Sequence, residues 1–564
     1  MSKLLEWPKI SVALLALPAV LLIGLPLVAA LWLIVTILTQ NGSQDWLLFL
    51  STSSVLTGLL YSIALAIIPT LLALYSAFWL LARMAKPPAW IAALLAIPHV
   101  AFAIGLSLLL LPGGWISRVW LGLDLQLQIP LLTPFLSAIF TDKSLPFLLV
   151  TLWLKELPFL LLMALIVMQQ LPVREWQQVG ASFGYRAPQT FWRIIVPQLV
   201  RKLRLPIMVV AIYGLAVVDV ALVVGPNLPS PLAVQVLQWY QQAGSELFAA
   251  LGSVVLIVAS ALVLFLFRAH EWLHNHGALL AVTRGVKIRG QAVLPSFIRR
   301  PGIARLRKFL AQLPFAVFLV VQITTVIALL VWSFTAAWPN TALLPSSYSV
   351  ANWQWEWQPL QEVLWNSLWI GVVVASLATA LVLLMLEWEY QRGKRIADAY
   401  MLLPLLVPQL PLVMAWHMHV APFTLAAPAF WLVWAHTVFA AAYIWLTLAA
   451  SYRNFPNMWL TQAATLGYSA PQRWFKVRLR MLAAPIVLAW SVGFSVSILQ
   501  YLPTLIFGAG RILTVTTEAT AYGSGFERSL AAIYGLAQIA WPLMMFVVAA
   551  ILANKYRVHT IRGA

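Results

Sequence analysis

Apolar residues along this 564-residue chain occur in long uninterrupted runs. Most runs have roughly 20 residues or more, the length that an α-helix needs to cross the hydrocarbon core of a bilayer. The sequence therefore predicts an all-α polytopic membrane protein with about twelve transmembrane helices. The predicted spans are 10–38, 55–81, 89–111, 145–168, 205–224 and 249–267, followed by 309–336, 364–386, 397–414, 427–449, 483–502 and 530–553. The first span exceeds the core of a signal peptide, so we expect a retained anchor.

The composition excludes a soluble protein of ordinary type. Hydrophobic residues make up 62% of the chain and charged residues only 9%, against about 25% charged in a typical globular domain. The chain has no cysteine. Structural disulfides, cysteine-ligated zinc, iron–sulfur clusters and thiolate catalysis are therefore excluded.

The basic residues are distributed on one side of the predicted membrane. Of the 35 Lys and Arg residues, 30 fall in the two termini and in alternate connections between spans. The excess of positive charge marks the cytoplasmic side, so both termini are predicted to be cytoplasmic. Nucleic-acid binding is the other explanation for a net charge of +19, but the one-sided distribution argues against it.

The two halves of the chain are related in sequence. When 176–189 is placed over 459–472, seven of the fourteen positions are identical, at an offset of 283 residues. The predicted domains are a first six-span repeat (1–268), a basic cytoplasmic linker (269–308) and a second six-span repeat (309–564). Because each half has an even number of spans, both repeats have the same orientation, and their symmetry axis runs along the membrane normal. Two parallel halves around such an axis predict a central path, as in a transporter or channel.

The repeated segment follows the fourth span of each half, on the basic side. Its pattern predicts a short helix, a sharp turn and a second helix. Gly184 and Gly467 stand where a helix C-terminus needs a positive φ, and Pro188 and Pro471 fit the first turn of the next helix. Such a helix on the membrane surface is suited to bind a soluble partner, although it could also simply close a loop.

This segment resembles the cytoplasmic loop of ATP-binding-cassette (ABC) importer permeases. In the family, Glu-Ala-Ala is followed by Gly and then by Ile-x-Leu-Pro. Here Gly184 is followed after nine residues by Ile194-x-Val196-Pro197, and the second copy has Gln462-Ala463-Ala464, then Gly467. Two such repeats in one chain are similar to the fused permeases of the ferric-iron and thiamine importers.

The resemblance implies a binding-protein-dependent importer that moves a small solute across a bacterial inner membrane by alternating access. Its partners would be two copies of a separate ATPase, an outer solute-binding protein and membrane lipid, and the chain would have no catalytic residue, metal or cofactor of its own. No phosphate-binding loop occurs in the sequence, in agreement with a separate ATPase. The implied ATPase-coupling residues are Gln178, Ala181, Gly184, Pro188, Pro197, Gln462, Ala463, Ala464, Gly467 and Pro471. The chain departs from the family at Gln178 and Thr461, which replace Glu, and at Arg480, which replaces Pro.

Ionisable residues inside predicted spans are candidates for function, since charge in the bilayer is energetically costly. Glu156 and Asp219, the latter near the outer end of the fifth span, are candidates for a cation path or gate. Lys155 and Glu156 could instead form an intramembrane ion pair. His436 is aligned with Lys155 by placing Trp434 over Trp153. Gly225 and Gly508, just after the fifth spans, would face the binding protein or only close loops.

Two alternative functions stay open at this point. His270-Glu271-Trp272-Leu273-His274 fits the H-E-x-x-H pattern of zinc metalloproteases, although it lies at a membrane boundary and lacks a clear third ligand. A carrier driven by an ion gradient would use Asp219 and Glu156 as coupling sites.

Overall fold

The structure is a computed structural model that describes residues 24–40, 42–83, 94–127, 143–283, 301–424 and 426–562. The beginnings of the first and third predicted spans and the middle of the predicted linker lie outside the described residues. Helices enter that linker from both sides, because one continues to Thr283 and the next begins at Pro301.

The described part of the first half is entirely helical. Its helices are α1 (Leu25–Gln40), α2 (Ser43–Ser51), α3 (Ser53–Leu81), α4 (His99–Leu110), α5 (Trp115–Leu127), α6 (Leu145–Gln169), α7 (Val173–Ser182), α8 (Ala187–Thr190), α9 (Val196–Lys202), α10 (Arg204–Leu215), α11 (Asp219–Val224), α12 (Leu232–Gln241) and α13 (Glu246–Thr283). A π-helical turn, Phe191–Ile195, joins α8 to α9.

The second half repeats this order, with a small two-stranded antiparallel hairpin added near its start. Its elements are α14 (Pro301–Ser333), β1 (Thr335–Ala337), β2 (Ser347–Tyr348), α15 (Ala351–Trp355), α16 (Trp357–Arg392), α17 (Asp398–Met401), α18 (Leu403–Leu406), α19 (Gln409–Thr424), α20 (Pro428–Arg453), α21 (Met458–Thr465), α22 (Ala470–Arg473), α23 (Leu479–Met481), α24 (Ala483–Leu499), α25 (Leu502–Gly508), α26 (Val515–Ser524) and α27 (Arg528–Arg562). A second π-helical turn, Trp474–Arg478, joins α22 to α23.

The predicted all-α polytopic membrane fold is confirmed. Within the described residues, eight helices are long and apolar enough to cross a membrane, and ten do so if two sharply bent pairs are each taken as one span. The predicted fifth and ninth spans are each divided into shorter helices. In the ninth, Val407 has extended backbone angles before Pro408, because a proline disfavours the helical conformation of its predecessor.

Both halves contain a break at the same place. In the first half the fifth span is divided into α10 and α11, and in the second half α24 and α25 are divided in the same way. The short helices that follow the breaks begin 283 positions apart, at Asp219 and Leu502. The helices after them, α12 and α26, are both ten residues long and also begin 283 positions apart.

The first described helix of each half packs against the other half. Helix α1 lies against α19, and α14 lies against α4. The second contact is close, since a Cβ added to Gly105 on α4 would lie 2.6 Å from the Thr325 carbonyl oxygen on α14. The largest apolar core includes side chains from both halves, so the halves form one bundle around their shared centre.

Candidate functional site

The two repeated segments form nearly identical helical turns, which we call the first coupling element (173–202) and the second coupling element (458–481). Gly184 and Gly467 have φ of +81° and +82°, as the sequence predicts. The amide of Tyr185 donates to the Gly180 carbonyl at 2.9 Å, and the amide of Tyr468 donates to the Ala463 carbonyl at 3.0 Å. These are the six-residue bonds of a Schellman helix end, which requires a left-handed residue at the glycine position.

The second helix of each coupling element also begins in the same way. Pro188 and Pro471 lie in its first turn, as predicted. The Gln189 side chain accepts a hydrogen bond from the Arg186 amide at 2.8 Å, and Gln472 accepts one from the Ser469 amide at 3.0 Å.

Most predicted coupling residues lie on the exposed face of these elements. Gln178, Ala181, Gly184 and Pro188 are exposed in the first element, and Gln462, Gly467 and Pro471 are exposed in the second. Pro197 and Ala463 are buried, and Ala464 is half-buried, so these three support the fold of the elements. Within the two coupling elements, the most exposed apolar side chains are Phe183 (72%) and Leu466 (77%), which stand directly before the two glycines.

The first coupling element is held to the membrane helices by apolar packing. Phe191 and Ile195, in its π-helical turn, are buried in a cluster with Leu160 and Leu161 of α6 and with Phe267 of α13. This attachment consists of dispersion contacts and apolar burial, which have little directional preference.

The second coupling element also packs against the apolar core, but it adds a buried ion pair. Arg478, at the position of Ile195, donates to the Glu387 carboxylate at 2.7 Å. The Tyr452 hydroxyl donates to the same carboxylate and accepts from the Trp474 indole at 2.9 Å. The Arg478 guanidinium lies 3.7 Å from the centre of the Tyr390 ring. The two elements thus have the same backbone but chemically different attachments.

A cavity of about 310 Å³ lies where the two broken helices meet. Its lining includes the break residues Val218 and Asp219 of the first half, and Gln500 and Tyr501 of the second. Non-helical backbone is tolerated at membrane depth where it lines a cavity, and paired discontinuous helices are typical of transporter binding sites. This cavity is the candidate path for a solute.

The first half supplies the ionisable groups of the cavity. Lys155, Glu156, His99 and Asp219 all line it. Glu156 pairs with His99 Nε2 at 2.8 Å, so the predicted partner of Glu156, Lys155, is replaced by His99. Asp219 begins α11 after the helix break and lines the cavity, rather than lying within a continuous span. Tyr213 lines the cavity together with Asp219.

The second half contributes hydroxyl and amide groups. Tyr443 and Tyr501 line the same cavity as Glu156 and Asp219. Gln500 also lines the cavity, and its side chain donates to the His436 carbonyl at 3.0 Å. Two carboxylates from one half therefore face tyrosines from both halves.

His436 lies behind this lining. Its Nδ1 is 3.0 Å from the Ser497 hydroxyl, and its Nε2 is 3.0 Å from the Thr504 hydroxyl. It therefore joins the two helices on either side of the second break. Helices α6 and α20 begin 283 positions apart, which places His436 opposite Trp153 and shifts the predicted alignment with Lys155 by two residues.

Gly225 and Gly508 lie at the ends of the short helices and not in the cavity lining. Gly225 caps α11 with extended backbone. Gly508 is the last residue of α25, and the chain then turns through left-handed residues at Ala509 and Gly510.

The H-E-x-x-H segment is part of a structural ion pair. Arg204 donates to both oxygens of the Glu271 carboxylate, each at 2.7 Å, and Arg268 donates to Oε2 at 2.8 Å. His270 Nε2 is 2.8 Å from the Tyr75 hydroxyl. Among the described residues, no group of three or more His, Asp or Glu side chains could hold a metal.

Sequence reasoning missed the residues that the breaks bring into the cavity, namely Tyr213, Tyr443, Gln500 and Tyr501. A signal was present, because Gln500 and Tyr501 are polar residues in an otherwise apolar run at the position that precedes Asp219 in the other half. Their significance depends on the break itself, which the apolar composition of the span concealed.

Comparison with known proteins gives one relative. The inner membrane ABC transporter permease protein YnjC of Escherichia coli K12 is 28% identical over 478 residues, which cover 82% of this chain and 80% of the relative. The chain resembles an ABC transporter permease. No family model and no solved structure matches it significantly. The similarity supports a permease subunit of an ABC transporter that works with an ATPase subunit in an inner membrane.

Proposed function

We propose that this chain is the membrane subunit of a binding-protein-dependent ABC importer. Its two six-span repeats (1–268 and 309–564), joined by the basic linker 269–308, would rock against each other to open the central cavity to either side. Both termini would be cytoplasmic. The observation that carries the proposal is that two matched coupling elements and two matched helix breaks occur in one chain.

The coupling elements would each bind one copy of a separate ATPase. Their exposed faces carry Gln178 and Gln462, together with Phe183 and Leu466 at the projecting turns. Because Gln178 and Thr461 lack the carboxylate of the related permeases, we assign much of the docking energy to the two apolar side chains. Burying an exposed apolar side chain of this size contributes about 1.5–3 kcal/mol.

The solute would pass through the cavity beside Asp219 and Glu156. Two carboxylates and one lysine line the cavity, so its formal charge is negative when His99 is neutral, which favours a small cationic solute. The tyrosines from both halves add ring faces that attract cations. Gly225 and Gly508 would lie on the outer side, in the loops that face the binding protein. His436 would act as a gate residue by holding the second break together.

The two alternative functions have less support. Zinc hydrolysis needs a free general base, but the Glu271 carboxylate is paired with two arginines. A carrier driven by an ion gradient would account for Asp219 and Glu156 but would leave the two projecting coupling elements without a role. The chain itself would carry out no covalent chemistry.

Co-expression with an ABC ATPase from the same organism, followed by purification from membranes, tests the proposal. We expect a stable complex whose ATP hydrolysis increases when the loaded binding protein is added. The proposal would be contradicted if the chain purified without the ATPase and if the rate of ATP hydrolysis did not change when the binding protein was added.

A further inference from the structure

Lys143 joins the two halves at the end of the path opposite the coupling elements. It stands just before α6, and its Nζ donates to the Leu222 carbonyl at 3.1 Å and to the Ser524 carbonyl at 2.8 Å. Leu222 is in the last turn of α11, in the first half, and Ser524 is the last residue of α26, in the second half. Carbonyl groups at helix C-termini lack partners within the helix and carry partial negative charge, so they favour a cation.

Other hydrogen bonds also join the two halves. Arg528, of the second half, donates to the Pro112 carbonyl of the first half at 3.1 Å. In the opposite sense, Arg118 donates to the Trp338 carbonyl. The Trp115 indole donates to the Leu343 carbonyl at 3.0 Å. All of these are donors of one half that bind backbone carbonyls of the other.

The same region is closely packed. A Cβ added to Gly523, next to Ser524, would lie 2.8 Å from Ile104 Cγ1 and 3.2 Å from Val223 Cγ2, both in the first half. Because even one added carbon at this position would clash with Ile104, there is no room for a solute between α26, α4 and α11. The path is therefore closed at this end.

Helix α11 connects this closed end to the cavity. It begins at Asp219 in the cavity lining and has only six residues, or about 9 Å of helix. A movement of Asp219 toward a bound solute would therefore be transmitted to the Leu222 carbonyl. A short rigid element with the solute site at one end and the Lys143 contact at the other can link their states.

We propose that Lys143 is the latch of the outer gate: it holds the C-termini of α11 and α26 together, and its release opens the cavity to the outer side. The inference rests on the proposed function, since it assumes that the cavity is a transport path. It assigns a role to a basic residue on the side of the membrane where few basic residues occur.

Because the chain has no cysteine, a single reporter can be introduced without background. Ser495 lines the cavity and is buried, so Ser495→Cys reports access to the path. In right-side-out vesicles containing the complex without ATP, a charged, membrane-impermeant maleimide would be added from outside. We expect slow labelling of S495C alone and labelling about tenfold faster in S495C/K143M, because a hydrogen bond from a charged group shifts an equilibrium by that order.

Three comparisons make the result specific. S495C/K143R keeps a charged donor and should again be labelled slowly. S495C/K143Q should be labelled at an intermediate rate, and it replaces S495C/K143M in the comparison if the methionine variant does not insert into the membrane. Lys394→Met removes an exposed lysine at the coupling end and should leave the rate of S495C unchanged. Equal labelling rates for S495C, S495C/K143M and S495C/K143Q would overturn the proposal. The readout needs no transport, and the same labelling can be measured on vesicles that contain the chain alone. Failure of the importer proposal would therefore be seen separately, as absence of the complex.

Discussion

Gly184 and Gly467 lie 283 positions apart and have the same left-handed backbone conformation, with φ of +81° and +82°. Neither has any atom within 4 Å of the position that a Cβ would occupy. The constraint at both positions is therefore the backbone angle and not crowding. Phe183 and Leu466 precede these glycines, and their side chains are exposed at the two turns.

Replacement of Gly184 or Gly467 by Val should weaken ATPase binding while membrane insertion stays normal. A β-branched residue held at positive φ costs about 1–3 kcal/mol, so the turn would relax and withdraw the neighbouring apolar side chain. Pull-down of the ATPase from solubilised membranes measures the effect. Gly42→Val is a matched control, because Gly42 also has open space around it but has φ of −79°. If both glycine variants pulled down as much ATPase as the wild-type chain, the proposed role of the turn would be contradicted.

Glu387→Ala should loosen the attachment of the second coupling element. Arg478 is 2% exposed, and removal of its partner leaves a buried charge, at a cost of about 3–5 kcal/mol. We expect a lower Tm of the purified chain and faster proteolysis between 458 and 481. The first coupling element, held by apolar packing, should keep its wild-type cleavage rate.

The double variant Glu387→Met/Arg478→Met is the control for this prediction. Replacing both members of a buried ion pair by apolar residues is often neutral or stabilising. We expect the double variant to recover most of the Tm that Glu387→Ala loses. A double variant as unstable as the single one would show that the attachment depends on more than the charge pair.

Asp219→Asn should lower transport without affecting ATPase binding. The substitution keeps the shape of the side chain and removes the negative charge at the break, so passage of a cation should slow by about tenfold, which corresponds to about 1.4 kcal/mol. Glu362→Gln, which removes an exposed carboxylate from α16, is the matched control. Uptake into vesicles measures the rate. An unchanged rate in D219N would leave the cationic substrate without support.

Glu271→Gln should reduce stability but leave the metal content unchanged. The sequence pattern alone gives Glu271 no role outside zinc chemistry and predicts intact function. The structure adds its pairing with Arg204 and Arg268, so the neutral amide should lower Tm. Elemental analysis of the wild-type protein is the second measurement. Stoichiometric zinc in the wild type, with loss of activity in E271Q, would reverse this interpretation.

The coupling elements could be predicted from the sequence because their geometry is local. A glycine at a helix end and a proline four residues later fix backbone angles through the chain's own steric limits. The turn at Gly184 and the helix start at Pro188, with their counterparts in the second half, could therefore be predicted without any tertiary information. The apolar runs likewise fixed most membrane helices, since span length follows from bilayer thickness.

The helix breaks could not be predicted in this way. The segment Ala216-Val217-Val218 is as apolar as the helices on either side of it, and hydropathy measures composition rather than continuity. The helix is interrupted at this segment, where the three residues line the cavity between the two halves. Partners such as His99 for Glu156 also lie outside the reach of the sequence, because 57 residues separate them and adjacent Lys155 is the nearer candidate along the chain.

The central claim, that each half of the chain binds one ATPase, is tested most directly by native mass spectrometry of the purified complex. We expect the wild-type complex to contain one 62.6 kDa chain and two ATPase copies. In the absence of ATP, Phe183→Asp and Leu466→Asp should each retain one copy, and the double variant should retain none. A wild-type complex with a single ATPase, or a double variant that still holds two, would contradict the account.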